Sequence, residues 1–567
     1  MRNLEQQPKP TEMQRRVRVD RRSFLKGAAL VGGGVAATGL AAACTPSSSG
    51  DEPTTGGGGG TSGPSEQDLG GSIAVMQPIA DSEIKETIDV EIVVIGGGVA
   101  GSVAAATAAE AGKKVAVLQK AEVAVANGAG AAAWNSKAQQ ELGDEFDPWQ
   151  AVTEWNRQGE NRADLDLLKS WIYNSGPTMD WAMALTNDVE GVGPVFVGLN
   201  HGMDYPDFWN FAYPTVHMWA GQMGPLAQWL LDYAEDKGAT VYYSTPAVQI
   251  VRDADNTGRV SGVIGKNEAG EYIKFNASGA VILAAGDYGN NPVLRAQYLP
   301  FAEGLACAYM RPDINKGDGQ YMGIYVGGKM QLSPHCSNIH FDPPINVPDV
   351  PGSGIPWLFV NKRGRRFCNE DVQYGQLWAQ DMNQPDLMHY QIFDDNFRTD
   401  WEDMGSGMMK KEPPVPIVEG VDAAVEAGNA YKADTIEELA AAINVPADAL
   451  KASVDRYNEL CDAGYDDDYG KQASRLKPVR QGPFYAVARQ PGILCTLNGI
   501  ITNGNCEALD ENHEVIEGLY AVGNCQGNYF GGLEHQMIIP GMSLGRAMTT
   551  GRVAGLLASG QPVATGR

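Results

Sequence analysis

Along this chain, short β-branched runs alternate with longer stretches of small apolar residues, the order expected of an α/β fold. Glu91 to Ile95 is a β-branched run of the kind that makes a buried parallel strand. Gly96-x-Gly98-x-x-Gly101 follows at once, Ser102 to Ala111 reads as an alanine-rich helix, and Lys114 to Leu118 gives a second strand. Near the other end, Glu517 to Val522 is a strand ending in Gly523-Asn524, and Ser543 to Leu557 has a helical pattern that starts from Pro540-Gly541. Between these ends, Thr435 to Asp462 is helix-patterned and Glu412 to Pro416 is a proline-rich linker. Gly27 to Ala43 is apolar and uncharged but short and glycine-rich, whereas a membrane span needs roughly 20 strongly apolar residues.

Strand, glycines, helix and strand within about thirty residues predict a dinucleotide cradle. The glycines allow a tight turn, close approach of backbone to pyrophosphate and close helix–strand packing, and the helix start offers free amides to phosphate. The position that should hold the ribose is Gln119, where an acidic residue is usual. A glutamine amide can bond ribose hydroxyls without the added strength of a charged acceptor. No second cradle of this type occurs, so a dedicated nicotinamide site is not expected.

Arg21-Arg22-Ser23-Phe24-Leu25-Lys26 precedes the apolar run, and this order reads as an address for the twin-arginine (Tat) export machinery, which carries folded proteins. Gly39-Leu40-Ala41-Ala42-Ala43-Cys44 resembles a lipoprotein cleavage site, with Leu40 one place further from the cysteine than usual, making Cys44 the candidate lipid anchor. Residues 1–44 are thus expected to be a signal peptide, and residues 45–88 a flexible Gly/Ser/Pro tether. The expected location is the periplasm or the outer face of the cytoplasmic membrane. The 567 residues suffice for two domains. The net charge is −26 even with eight Lys/Arg against three Asp/Glu in the first 43 residues, so nucleic acid is an unsuitable partner. Of the eight cysteines none forms a C-x-x-C pair, which excludes a c-type haem. No metal site is expected, although a cluster built from distant cysteines stays open beside the reading of buried thiols.

Further motifs run in order along the chain: Val281-Ile282-Leu283-Ala284-Ala285-Gly286-Asp287-Tyr288-Gly289-x-Asn291, Lys316-Gly317-Asp318-Gly319, Val360-Asn361-x-x-Gly364-x-Arg366-Phe367-x-Asn369-Glu370, Gly518-Leu519-Tyr520-Ala521-Val522-Gly523-Asn524 and Pro540-Gly541-Met542-Ser543-Leu544-Gly545. With the cradle, they resemble the flavoprotein group of fumarate reductase, urocanate reductase and 3-ketosteroid dehydrogenase, from about Asp89 to Gly555. The resemblance implies a Rossmann-like FAD-binding domain (89–320 and 484–567) with an inserted α+β capping domain (321–483). It also implies FAD as cofactor and hydride exchange between flavin N5 and an activated carbon–carbon double bond. Carried over residue by residue, the FAD contacts would be Gly96, Gly98, Val99, Ala100, Gly101, Gln119, Lys120, Ala131, Ala132, Val248, Ala285, Gly286, Asp318, Gly523, Asn524, Ser543 and Leu544. Amides at Ser543 and Leu544, at a helix start, would favour the negative charge of a reduced flavin.

The departures bear on substrate. Fumarate reductases of the group place a proton-donating arginine four residues after the glutamate of the R-F-x-N-E hairpin, where this chain has Tyr374. A tyrosine can donate a proton to carbon, hydrogen-bond a carbonyl, or simply pack under the cap. The group's dicarboxylate-clamping arginines are replaced by Gly352 to Trp357 and by Ile538-Ile539-Pro540, and a histidine by Cys495, which argues against fumarate. His335 and Tyr529 join Tyr374 as catalytic candidates, His335 for a substrate carbonyl and Tyr529 against a flat substrate, with structural roles as the alternative for each. Glu534 and His535 are further pocket candidates. The expected activity is reduction of an enone or enoate, fed by a separate membrane or periplasmic electron donor. A ketosteroid-type dehydrogenase and a flavin electron carrier are the alternatives.

Overall fold

The computed structural model of the chain describes residues 76–143, 145–198, 212–307, 311–342, 350–372, 374–404 and 416–565, without the side chains of Phe341, Asp342, Tyr374 and Asp403. The expected signal peptide, Cys44 and the tether up to residue 75 lie outside the described residues, as does most of the linker Glu412–Pro416. Among the described residues, no helix is long and apolar enough to cross a membrane.

The first sheet has a parallel centre, in the order β16 (Val515–Ala521), β9 (Tyr272–Leu283), β1 (Ile84–Ile95), β2 (Val115–Leu118) and β6 (Thr240–Tyr242). β15 (Glu507–Leu509) closes one edge antiparallel to β16. β7 (Ala247–Arg252) and β8 (Val260–Lys266) form a hairpin on the early half of β9, whose late half pairs with β16. A small antiparallel sheet holds β3 (Gly130–Ala132), β5 (Val216–Trp219) and β4 (Pro194–Val197). The remaining sheet runs β10 (Ser337–Asp342), β14 (Phe484–Thr496), β12 (His389–Asp394) and β11 (Leu358–Val360), with β13 (Tyr431–Ala433) also on β14.

Several boundaries differ from the sequence reading. β1 begins at Ile84, so residues 84–88 are strand and not tether, and Ile84 pairs with Tyr272. α1 (Val99–Glu110) starts ahead of the expected Ser102, because Gly98 already caps it. Its residues from Val99 to Ala109 are all buried, as a helix apolar all round should be. The pattern Thr435–Asp462 is two helices, α5 (Ile436–Ala442) and α6 (Ala447–Ala463). They separate where Asn444 takes a positive φ and Pro446 lacks the N–H that a continuous helix needs. β14 pairs with β10, β12 and β13, so the strand beginning at residue 484 belongs with the second large sheet.

The R-F-x-N-E hairpin after β11 is held by charge. The Arg366 guanidinium donates to both oxygens of Glu370 at 2.8 and 2.9 Å, and to Asp466 at 3.1 and 2.7 Å. The Lys471 ammonium lies 3.3 Å from Glu370 and donates to the Tyr457 hydroxyl of α6 at 2.8 Å. Burial alone would push the Glu370 carboxyl up, but Lys471 and Arg366 hold it below the usual carboxylate range. The hairpin's arginine and glutamate therefore anchor it to α6 and the following loop. Glu370→Gln should cost on the order of 3–5 kcal/mol at pH 7 in urea unfolding, since it leaves buried cations short of a partner. Because the folded carboxyl is the stronger acid, its contribution is present above about pH 4 and fades as pH falls through the folded value. The gap between wild type and variant should therefore narrow in acid.

Candidate active site

The site grows from the turn after β1. Gly96 has φ +100°, and a Cβ there would stand 2.5 Å from the Ala284 carbonyl oxygen. A Cβ on Gly101 would fall 1.8 Å from the Gly96 oxygen, so α1 sits on the turn with backbone touching backbone. Gly98 caps α1 and leaves the first amides of that helix facing a cavity of about 370 Å³. The start of α7 (Met542–Ala558), capped by Gly541 at φ +80°, lines the same cavity. Gly545, Gly551 and Gly555 bring α7 onto β3 and α1, where a Cβ would meet the carbonyls of Ala132, Ala100 and Ala104 at 2.0, 2.3 and 2.8 Å. A cleft bounded by two helix starts and side-chain-free turns fits a dinucleotide's phosphates and ring system.

Of the expected FAD contacts, Gly98, Val99, Ala100, Gly286, Gly523, Asn524, Ser543 and Leu544 line this cavity together. Gly96 and Gly101 shape the turn beneath it. Ala131 and Ala132 lie on β3, where the Ala132 amide donates to the Gly541 carbonyl at 2.9 Å and braces the start of α7. Ala285 follows lining residue Ala284 and is half-buried. Val248 is on β7, away from the lining. Lys120 is also off the lining, ion-paired with Asp318 at 2.9 Å. Gln119 is arranged otherwise than the sequence implied. Its amide accepts from the Gly97 N–H at 3.0 Å and donates to the Val123 carbonyl at 2.6 Å, tying the glycine turn to the loop after β2.

At the far end, the cavity meets the second large sheet. Asn338 and His340 of β10, Cys495 of β14, Asp287, His535 and Met537 converge there, with Asn338 and Cys495 in register. Burial lowers His340 to about 4 and His535 to about 3, so both imidazoles are neutral at pH 7. Burial raises Asp287 to about 6, against hydrogen bonds from the Gly289 N–H and the Asn315 side chain at 2.7 Å each. Among the described residues lining the cavity there is no lysine or arginine.

The catalytic candidates separate. The side chain of Tyr374 lies outside the described residues, but the residue opens α4 (Tyr374–Asp381), whose Gly375 packs on the His535 carbonyl and Met537. His335 is a buried structural histidine away from the lining. Its Nδ1 pairs with the Tyr288 hydroxyl and its Nε2 with the Gln331 carbonyl, each at 2.8 Å, and its ring stacks on Tyr298 at 4.4 Å. Tyr529 is buried among Trp155, Phe530 and Arg546, also away from the lining. Asn338 and His340 escaped the sequence reading, although alternation along Ser337–Asp342 puts them on one face.

The FAD binding domain family matches residues 91–536. Vinyl phenol reductase of Lactiplantibacillus plantarum is 28% identical over 491 residues, covering 82% of this chain and 95% of that protein. Fumarate reductase (cytochrome) of Shewanella frigidimarina is 26% identical over 505 residues, covering 87% and 80%. The open conformation of a flavocytochrome c3 fumarate reductase shares the fold with TM-score 0.66 at 23% identity, over 84% of this chain and 79% of that one. Gly101→Ala, whose Cβ would strike unyielding backbone, should give protein without flavin absorbance and with a melting temperature several degrees lower. The cradle, the two helix starts and the family match agree: this chain belongs to the FAD binding domain family and is an FAD-dependent oxidoreductase, similar to reductases and dehydrogenases that act on C=C or CH–CH groups.

Proposed function

We propose that this chain is an exported reductase that saturates an activated double bond in an uncharged or aryl-conjugated substrate, an enone or enoate other than fumarate. The observation that carries the reading is the cavity's far end, where Asn338, His340, Cys495 and His535 meet without a lysine or arginine among the described lining. A small dicarboxylate needs charged, preferably bidentate, partners. Two neutral imidazoles and an asparagine suit a carbonyl or hydroxyl instead. Vinyl phenol, in the name of one relative, is such an uncharged aryl-conjugated alkene.

Bound FAD supplies the hydride. The chain supplies the rest: amides at the start of α7 place partial positive charge on the cavity wall, and the buried second sheet excludes water. Tyr374 is the proton donor in this reading, since a tyrosine in the hairpin's donor position can protonate the carbon next to the one reduced. Electrons come from a separate membrane or periplasmic donor in this reading, which the lack of a second cradle of this type in the sequence supports. Arg21-Arg22 and the apolar run direct the folded enzyme outward through the Tat machinery, with Cys44 as anchor. The same tyrosine and the same lack of arginines also favour a second reading, a ketosteroid-type dehydrogenase running in reverse.

Anaerobic reoxidation of the reduced flavin against fumarate, urocanate, cinnamates and neutral enones, steroids included, tests this. Neutral enones or aryl alkenes should reoxidise it rapidly, and Tyr374→Phe should slow that by about 10²–10⁴-fold. Fast reoxidation by fumarate would overturn the substrate assignment. Flavin reduction by saturated ketones, with no reoxidation by any alkene, would establish the dehydrogenase.

A further inference from the structure

Next to the far end of the flavin cavity lies a second cavity of about 330 Å³. The segment from Glu534 to Met537 runs between the two. Glu534 and Gln536 line the second, Met537 lines the first, and His535 lines both. β10 fixes this segment in place. The His535 N–H donates to the Ser337 carbonyl at 3.0 Å, the Ser337 N–H to the Leu533 carbonyl at 3.2 Å, and the Ile339 N–H to Oε1 of Glu534 at 3.1 Å. The wall is therefore set before anything binds to it.

Six polar atoms around this cavity are buried without a hydrogen-bond partner: both amide atoms of Gln536, Oε1 of Gln158, Nδ1 of His535, Nε1 of Trp378 and Oε2 of Glu534. Gln536 is only 3% exposed. Gly159 leaves room for its amide, since a Cβ there would fall 2.4 Å from Nε2. Gln158 spends its Nε2 on Glu154 at 3.0 Å and has its Oε1 to offer. The Trp378 indole lies against the Glu534 carboxyl without reaching hydrogen-bond geometry. Buried groups of this kind call for an occupant that both donates and accepts.

Water alone suits the site poorly, because another part of the lining is apolar. Phe301 and Trp378 stand there with ring centroids 5.6 Å apart, beside Met382. An ion suits it no better. The described lining has no lysine or arginine to hold an anion. Burial pushes the Glu534 carboxyl well above the usual range, so no inner carboxylate awaits a cation at neutral pH. Apolar walls with a few fixed polar groups are the pattern of a small-molecule site. Glu160, Gln376, Ala379 and Leu533 are exposed and form its mouth.

We propose that the second cavity is a binding site for a small neutral aromatic molecule bearing a carboxamide or phenol group, with its ring on Phe301 and Trp378 and its polar group on Gln536 and Gln158. Such a group belongs either to the end of a long substrate remote from its double bond or to a separate molecule. In both cases His535 is the residue through which the ligand meets the flavin cavity. The site rests on its own lining and does not depend on the reductase reading.

The test is calorimetric titration of the full-length, FAD-loaded protein with benzamide, phenol and benzoate. Benzamide and phenol should bind with the flavin spectrum unchanged, and benzoate should bind about tenfold more weakly or worse. Gln536→Leu and Ala379→Trp should each weaken benzamide about tenfold or more, with flavin absorbance and melting temperature kept. Ala379 is exposed on α4, so its replacement fills the mouth from outside the core. No benzamide binding at millimolar concentration would overturn the site and leave water as its occupant. Binding indifferent to both variants, or accompanied by a flavin shift, would overturn it by placing the probe elsewhere. Flavin reoxidation by an alkene then separates the two sources. Benzamide that raises KM with kcat kept assigns the site to the far end of the substrate, whereas any other effect on turnover, or none, assigns it to a separate molecule. If no alkene reoxidises the flavin, the reductase reading fails, while the titration still decides the site.

Discussion

Contact between backbones without intervening side chains is the constraint on which the rest of this structure depends. The α1 helix rests on the turn that precedes it, and α7 rests on α1 and β3, at distances that only glycine permits. Each removed side chain brings a helix start closer to the cavity, and helix starts are the chain's source of directed positive charge. The surrounding alanines follow from the same need, since α1 is enclosed on every face and larger side chains would push the layers apart. Cofactor binding and core packing here are therefore one problem with one solution.

A second constraint works at the other end of the cavity. The Arg366, Glu370, Asp466 and Lys471 cluster is buried and mutually satisfied, and it fixes the hairpin that leads into α4. The same stretch of sequence thus does structural work in its first half and approaches the reacting end of the cavity in its second. Around that end the titratable groups are driven toward neutrality by burial, with His340 and His535 well below the ordinary histidine value. Such a pocket discriminates by hydrogen-bond geometry more than by charge.

The cradle was legible in the sequence because it depends on local features: a β-branched run, three glycines at fixed spacing and a small-residue helix. The last helix was legible for the same reason, from Pro540-Gly541 and the period that follows. What sequence could not reveal depends on partners far along the chain. His335 looks like a pocket residue until Tyr288, Tyr298 and Gln331 are seen to occupy it, and Gln119 looks like a ribose ligand until its amide is found closed on Gly97 and Val123. The break at Pro446 could have been read from the sequence, since a proline preceded by Asn444-Val445 stops a helix, but the apolar period on either side concealed it. Asn338 and His340 sit on a strand whose alternation is short, and their meaning depends on Cys495 across the register.

The continuity of β14 has one further mechanical result. Its first half is bonded to β12 and β13 and its second half to β10, with Leu494 and Cys495 near its end lining the flavin cavity. Such a strand, extended at about 3.3 Å per residue, is held by ladders on both halves, with one register shift against β10 at Leu494 that bends its cavity end. Any tilt of that sheet would swing Cys495 and its register partner Asn338 as a pair, keeping their spacing while changing the depth of the cavity they line. The pocket floor would thus move like one jaw of a vice, set by the angle of a sheet whose far edge is remote from the chemistry.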